Sequence, residues 1–411
     1  MGTSLTPGAT LGRLRRAWSA LSAEQWWLIA ALGSATFFVG YDGSVLILAL
    51  PAVARTFHAS VGQLGVAISV LSLGALAAIP GAWLADRLGR RPVLLVSVVL
   101  YGLANAGSAM APDLEVLTLM RLVAVFAASV EYGAAMVMLI EALPSDRRGL
   151  GVSVFTILAG FGSGLAAIIY PLAALNPQGW RIMYWSGLPV LLVALYLRSR
   201  IKESQLWTSA RSSRRSPWSL LLAHPWRRRL LLISLAWLFV AVMVEPASLF
   251  LALFGARDLG LNVTSISAVI VVAGTVGSVG YPLGGWLGDR FGRRWPALIM
   301  IALESVSLAL MYHAGVVGYS LGFGLASFFG SALTPVLASW TSELFPTAAR
   351  VSANTIGGGT YILGRLLGLA IVGSLAARIG LGNVIAVLVI APLLGCVLLG
   401  LLPETAGVEL T

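Results

Sequence analysis

The sequence predicts an all-α membrane protein whose 12 transmembrane helices form two pseudo-symmetric six-helix halves. Three observations carry that prediction: an apolar composition, twelve separate windows long enough to cross a bilayer, and two motifs that each recur at nearly one offset. Of 411 residues, 58% are apolar and only 10% charged, and mean hydropathy is +0.91. A soluble domain carries roughly 45–50% apolar and about 25% charged residues. The contrast excludes a disordered chain, a secreted disulfide scaffold and a cytosolic enzyme. Cys396 is the single cysteine, so no internal disulfide forms, and no Cys/His cluster marks a metal site.

A helix needs about 20 mostly apolar residues to cross the hydrocarbon layer. Such windows run over 26–50, 61–84, 92–111, 117–140, 149–175, 183–197, 230–254, 265–287, 296–314, 318–340, 352–376 and 382–402. The first is too long for a signal-peptide core and is expected in the mature protein. The sixth is the shortest. Between the sixth and seventh lies the one long polar stretch, which divides six spans from six. The expected organisation is an N-terminal segment (1–25), a first bundle (26–197), a central loop (198–229), a second bundle (230–402) and a tail (403–411).

Orientation follows from the distribution of basic residues, because cytoplasmic loops retain Arg and Lys. With both termini inside, the inner segments hold 21 of the 27 basic residues, and the outer loops hold only Arg55, Arg181, Arg257 and Arg378. Arg121 and Arg365 lie within spans. The formal charge of +11 therefore reflects topology, with no nucleic-acid partner implied. The Arg-rich 211–215 run of the central loop is expected at the anionic inner leaflet. The expected location is a cell inner (plasma) membrane, with the chain monomeric in the lipid bilayer.

Internal repetition is the third observation. Ala82-Trp-Leu-Ala-Asp86-Arg87-Leu-Gly89-Arg90-Arg91 recurs as Gly285-Trp-Leu-Gly-Asp289-Arg290-Phe-Gly292-Arg293-Arg294, and Asp86 to Asp289 is an offset of 203. Glu141-Ala-Leu-Pro144-Ser-Asp-Arg-Arg148 recurs as Glu343-Leu-Phe-Pro346-Thr-Ala-Ala-Arg350, an offset of 202. Two unrelated motifs at nearly one offset mark a parallel repeat of two halves, an arrangement that places a binding site near midplane between them.

The D-R-x-G-R-R loops resemble the signature of the major facilitator superfamily, and the similarity covers the whole chain. The E-x-x-P-x-x-x-R helix ends resemble its sugar-porter and metabolite:proton symporter branches. Val130-Glu131-Tyr132-Gly133-Ala134-Ala135 resembles the G-E-W-G segment of carboxylate (sialate/lactate-type) proton symporters, as do Gly179-Trp180-Arg181 and Glu203-Ser204-Gln205-Leu206-Trp207. The chain departs from the pattern at Ala82, where Gly is usual, and at Gln205, where Pro is usual. The resemblance implies that Asp86, Arg90 and Arg91, with Asp289, Arg293 and Arg294 in the repeat, gate the cytoplasmic side. Physically, a carboxylate near a helix N-terminus and a bidentate arginine make a releasable latch. Glu141 with Arg148, and Glu343 with Arg350, would be similar latches.

Ionisable side chains within spans cost at least about 2.5–3.5 kcal/mol at the bilayer centre, which makes them functional candidates. Six occur: Asp42, Arg121, Glu131, Glu245, Glu304 and Arg365. Asp42 in the first span and Arg121 in the fourth lie at similar depth, roughly 12 and 6–9 Å from the outer ends at 1.5 Å per residue. Gly40-Tyr41-Asp42 and this arginine resemble the sugar porters, where such a pair couples proton binding to transport; breaking the pair allows protonation of Asp42. Glu131, about 15 Å deeper than Arg121, suits a second proton site or a substrate-side switch. Glu245 lies 203 residues after Asp42 and is its positional counterpart. Pro246 beside it is expected to break the helix locally. Arg365 has no counterpart at Ser163, which makes it a candidate for gripping a substrate carboxylate by bidentate bonding, or else a structural partner of Glu245 or Glu131. Tyr361, four residues before Arg365, shares its helix face. Glu304 is expected only to snorkel or to meet a loop. Tyr41, Tyr132 and Trp237 are expected mainly in packing. Gly160, Gly162, Gly164, Gly274, Gly277 and Gly280 are expected at close helix contacts.

No Walker-type lysine follows any glycine run, Lys202 being the only lysine, so ATP does not power transport within this chain. No nucleophile–base–orienter set can be assembled from three histidines, none mid-span, so no catalytic residue and no cofactor are expected. The expected function is proton-coupled symport of a small organic metabolite, most readily a carboxylate, by alternating access. Proton-coupled sugar or polyol symport, and efflux by proton antiport, are the rival readings.

Overall fold

In the computed structural model, residues 22–76, 80, 81, 84, 88–143, 148–201, 221–345 and 350–405 are described. Ala82, Asp86, Arg87, the 203–207 stretch and the 211–215 run lie outside the described residues, as do the side chains of Glu141, Arg148 and Arg350.

The described elements are all helical. The first half comprises α1 (Ala23–Thr56), α2 (Val61–Ala75), α3 (Arg90–Met110), α4 (Leu114–Ala142), α5 (Arg148–Ala173) and a sixth span in two pieces, α6a (Gly179–Ser186) and α6b (Leu188–Ser199). The second half comprises α7a (Trp226–Leu249), α7b (Leu251–Arg257), α8 (Val263–Phe291), α9 (Arg294–His313), α10 (Gly315–Glu343), α11 (Arg350–Ile379), α12a (Leu381–Leu388) and α12b (Ile390–Gly400). Among the described residues, nine helical stretches are long and apolar enough to cross a membrane. The remaining three of the 12 spans are α4, whose 29 residues span about 43 Å, and α2 and α5, whose apolar stretches are shorter.

Local chemistry sets the boundaries. Ser22 and Ser60 cap α1 and α2 with reciprocal boxes to Gln25 and Gln63, while Asp113 and Asn262 cap α4 and α8. Each D-R-x-G-R-R loop turns on its glycine: Gly89 has φ +104° and Gly292 φ +88°, conformations that a side chain strongly disfavours. Pro246 does not break its helix. The chain stays helical to Leu249 and is interrupted at Phe250, one turn later. Pro246 leaves the Val242 carbonyl without its i+4 donor, and Gly368 on α11 leaves the space that this carbonyl occupies.

The two halves repeat their packing. α1 lies on α5 as α7a lies on α11, α2 on α4 as α8 on α10, and α3 on α4 as α9 on α10. Without a hydrophobic driving force between helices in lipid, close backbone approach supplies the attraction. Gly162 meets the backbone of α1, and Gly277 and Gly280 meet α10, as expected. Gly160, Gly164 and Gly274 face open space, so half of the glycines read as contacts are not contacts. Large apolar side chains such as Val96, Leu103, Leu172, Val279 and Leu303 cover the outside, where lipid is their solvent.

The halves join through α2 against α11, α5 against α8, and α1 against α7b. At the end remote from the D-R-x-G-R-R loops, one apolar cluster unites them, running through Leu50, Val53 and Leu64 to Leu249, Leu369 and Val372. Toward the basic end, the described residues fall into two separate clusters. One is built on Leu32, Leu139 and Leu143 of the first half, the other on Ile233, Trp340 and Leu344 of the second. Among the described residues the fold is therefore sealed by one shared apolar core at one end and carries a separate core in each half at the other.

Candidate functional site

Asp42 of α1 and Arg121 of α4 meet inside the first half, at 5% and 2% exposure. The contact is bidentate: Nη1 lies 2.9 Å from Oδ1, and Nη2 lies 2.5 Å from Oδ2. Two residues of α3 complete it. Tyr101 donates its hydroxyl to Asp42 Oδ2 at 2.9 Å, and Asn105 Oδ1 accepts from Arg121 Nη1 at 3.0 Å. The Tyr184 ring of α6a lies 4.9 Å from the guanidinium carbon. Four spans thus converge on one charge pair. Tyr101 and Asn105 stand one turn apart in an otherwise apolar window, a signal the sequence reading passed over.

Glu131, one level deeper on α4, is fully buried and forms an ion pair with Arg198 Nη2. Arg198 also donates to the Leu32 carbonyl at 3.0 Å. Among the described residues, Glu131 Oε2 and Arg198 Nε and Nη1 have no hydrogen-bond partner. A terminal arginine is ordinarily assigned to the loop, yet α6b continues to Ser199 and turns Arg198 inward. The next residue carries the contact onward, since Arg91 Nη2 donates to the Ser199 carbonyl at 2.9 Å.

In the second half, Glu245 of α7a lies between two partners on α11. Its Oε2 is 3.4 Å from Arg365 Nη1, and its Oε1 accepts from the Tyr361 hydroxyl at 2.9 Å. Glu245 and Arg365 are each 25% exposed, unlike the sealed pairs of the first half. The Trp237 ring packs edge-on against Tyr361, with centroids 5.6 Å apart. These rings line a cavity of about 520 Å³ together with Asn354 and Thr334, between walls of Ile233, Val240, Val244, Leu333 and Leu337. Glu304 also lines it, which corrects the expectation that this residue snorkels or meets a loop. Tyr41 packs on Phe38 and bonds Ser186 at 2.6 Å, and Tyr132 packs on Phe155.

At the basic end of the second half, Arg293 Nη1 reaches Asp289 at 2.6 Å, and its Nη2 reaches Glu343 at 3.2 Å. Glu404 of the tail accepts from the Arg293 and Arg294 backbone amides at 2.8 and 3.0 Å, and the Thr405 hydroxyl donates to Glu343 at 2.5 Å. Partial burial lowers the Arg293 pKa, but its carboxylate partners outweigh that and the net direction is up. This cluster ties α8, α9, α10 and the tail within one half, and Glu404 is a member that the sequence does not reveal. Of the corresponding first-half set, Arg90 is buried and Arg91 is fixed on Ser199.

The family profile of the Major Facilitator Superfamily matches residues 32–280 and 246–409. The chain is 26% identical over 392 residues to the "Probable 4-methylmuconolactone transporter" of Cupriavidus pinatubonensis, covering 90% of this chain and 88% of that one. It is 26% identical over 308 residues to the citrate-proton symporter of Klebsiella pneumoniae, covering 66% of each. Its fold matches the crystal structure of a bacterial homologue of the human lysosomal transporter Spinster with a TM-score of 0.75. That match has 17% identity and covers 93% and 97% of the two chains.

Proposed function

The chain belongs to the Major Facilitator Superfamily, and from that premise we propose that it is a proton-coupled symporter of a small organic carboxylate. It is a multi-pass membrane transporter of small molecules and not an enzyme. The relatives include one named for citrate and proton symport.

The observation that carries the reading is Arg365. It is a partly exposed cation within the second half, met by the single carboxylate of Glu245 at a loose 3.4 Å. A substrate carboxylate can take that place with two charge-assisted hydrogen bonds, which a guanidinium favours. Glu245 then loses its counter-charge, and Tyr361 remains to donate to it. Asp42 with Arg121 is the proton-coupling pair, and Glu131 with Arg198 a second titratable pair. Basic residues concentrate at the end where each half keeps its own core, which by the positive-inside rule supports cytoplasmic termini and an inward-open conformation. Alternating access closes that end and opens the other. The location is the plasma membrane, and the transporting unit is one chain.

Reconstituted protein in liposomes with an imposed pH gradient tests this. The expected result is uphill uptake of labelled carboxylates, lost on collapsing the gradient. Accumulation of sugars alone would favour the rival that Gly40-Tyr41-Asp42 and Arg121 support, and export on acidifying the outside would favour antiport; either overturns the proposal.

A further inference from the structure

Glu304 sits on α9, which packs against α10 on the side away from the other half, yet its carboxylate reaches the cavity. It does so through Gly330. A Cβ at that position of α10 would stand 2.7 Å from Glu304 Oε1, so the missing side chain is the opening through which the carboxylate arrives. Glu304 is only 9% exposed, and among the described residues no hydrogen bond or ion pair reaches it. The neighbouring hydroxyls are engaged elsewhere: Thr334 donates to the Gly330 carbonyl at 3.0 Å and Thr341 to the Leu337 carbonyl at 2.7 Å. The titratable groups facing it are Glu245 from α7a and Tyr361 from α11. α10 presents none at this level, and Arg365 is engaged by Glu245.

A carboxylate that is largely buried and has no hydrogen-bond donor is costly to keep ionised, and such groups neutralise instead. A hard metal ion would need several converging oxygens, but among the described residues lining the cavity Glu304 is the one carboxylate. The remaining neutralising species is a proton. We propose that Glu304 is a proton-binding site of the second half, a neutral carboxylic acid in the inward-open protein whose occupancy is linked to carboxylate binding at Arg365. The linkage is one of charge. A substrate anion on Arg365 displaces Glu245 from its counter-ion, and the freed negative charge facing Glu304 makes the proton there harder to lose. The linkage rests on the symport reading; the protonation does not.

Infrared difference spectroscopy on the purified protein tests it with protons as the only ligand. The wild-type spectrum is expected to contain the carbonyl stretch of a neutral acid that Glu304→Gln removes, Glu304→Asp retains at a shifted position, and alkaline titration abolishes. A wild-type minus Glu304→Gln difference showing loss of ionised carboxylate bands would overturn the proposal. Gly330→Ala is the second variant, should Glu304→Gln not fold: its methyl is expected to displace the carboxyl and move the same band, and an unmoved band would overturn the placement. A protonated Glu304 together with absent pH-driven carboxylate uptake would sink the symport reading alone.

Discussion

Glu131 and Arg198 form a buried ion pair that ties the middle of α4 to the last turn of α6b. Because Ser199, the next residue, accepts from Arg91, the pair stands two residues' contacts away from the D-R-x-G-R-R loop. A buried carboxylate of α4 and an arginine of the D-R-x-G-R-R loop are thus joined through one helix end.

Glu131→Gln is expected to destabilise the protein by about 3–5 kcal/mol, the usual consequence of leaving one member of a buried pair uncompensated. Arg198→Met should cost a similar amount. The double substitution should recover most of it, since neither charge is then buried alone. Thermal unfolding in detergent checks this, and additive losses in the double variant would mean that the two side chains act separately.

Asp42→Asn keeps the shape and one acceptor for Tyr101 but removes the charge that neutralises Arg121. Proton-driven accumulation should be abolished, while substrate exchange across the membrane remains measurable. Full accumulation by this variant would remove Asp42 from the coupling role.

Arg365→Ala should weaken carboxylates at least about tenfold more than neutral compounds, a difference of about 1.4 kcal/mol. Arg365→Lys should restore part of the loss because charge returns without the bidentate fork. Equal losses for both classes would make Arg365 a structural partner of Glu245. Titration of substrate binding by calorimetry separates these outcomes.

These sites differ in how far the sequence disclosed them. Asp42 and Arg121 were legible together because depth along a span can be counted and the family resemblance places the first and fourth spans side by side, where two opposite charges at similar depth attract. Glu245 was legible through the repeat offset, and Arg365 through its lack of a counterpart. Tyr361 followed from helical spacing. Arg198 was not legible, because an arginine closing a hydrophobic window looks like any other loop arginine. Its inward turn depends on Glu131 and on the Leu32 carbonyl, on two other helices. Glu304 was misread for a related reason: nothing near it in sequence reveals that Gly330 on another helix leaves an opening. Pro246 shows the limit of local rules, since Gly368 of α11 accommodates the carbonyl that the proline frees and the helix continues. Apolar windows fix which residues lie in spans; the face each presents is decided by small residues on neighbouring helices.

The final prediction concerns the sealed end. Gly65 of α2 and Gly373 of α11 bring the two halves together there, and a Cβ at Gly65 would stand 2.9 Å from the Gly373 Cα. The neighbouring Gly62 lies equally close to the Gly373 carbonyl, at 3.0 Å for an added Cβ, so the backbones have little room to shift. A Gly65→Leu side chain should therefore wedge α2 from α11 without disturbing the core of either half, because each half keeps its own apolar cluster at the basic end. The equilibrium between the two open forms should move toward the one open at the wedged end, with transport slowed and stability changed little. Spin-label distances between α2 and α11 should lengthen at that end. At the basic end, distances between α4 and α10 should shorten. If the first lengthens while the second stays fixed, the halves do not rock as rigid bodies, and alternation must come from bending within a half, for which the break in α7 at Phe250 is the nearest hinge.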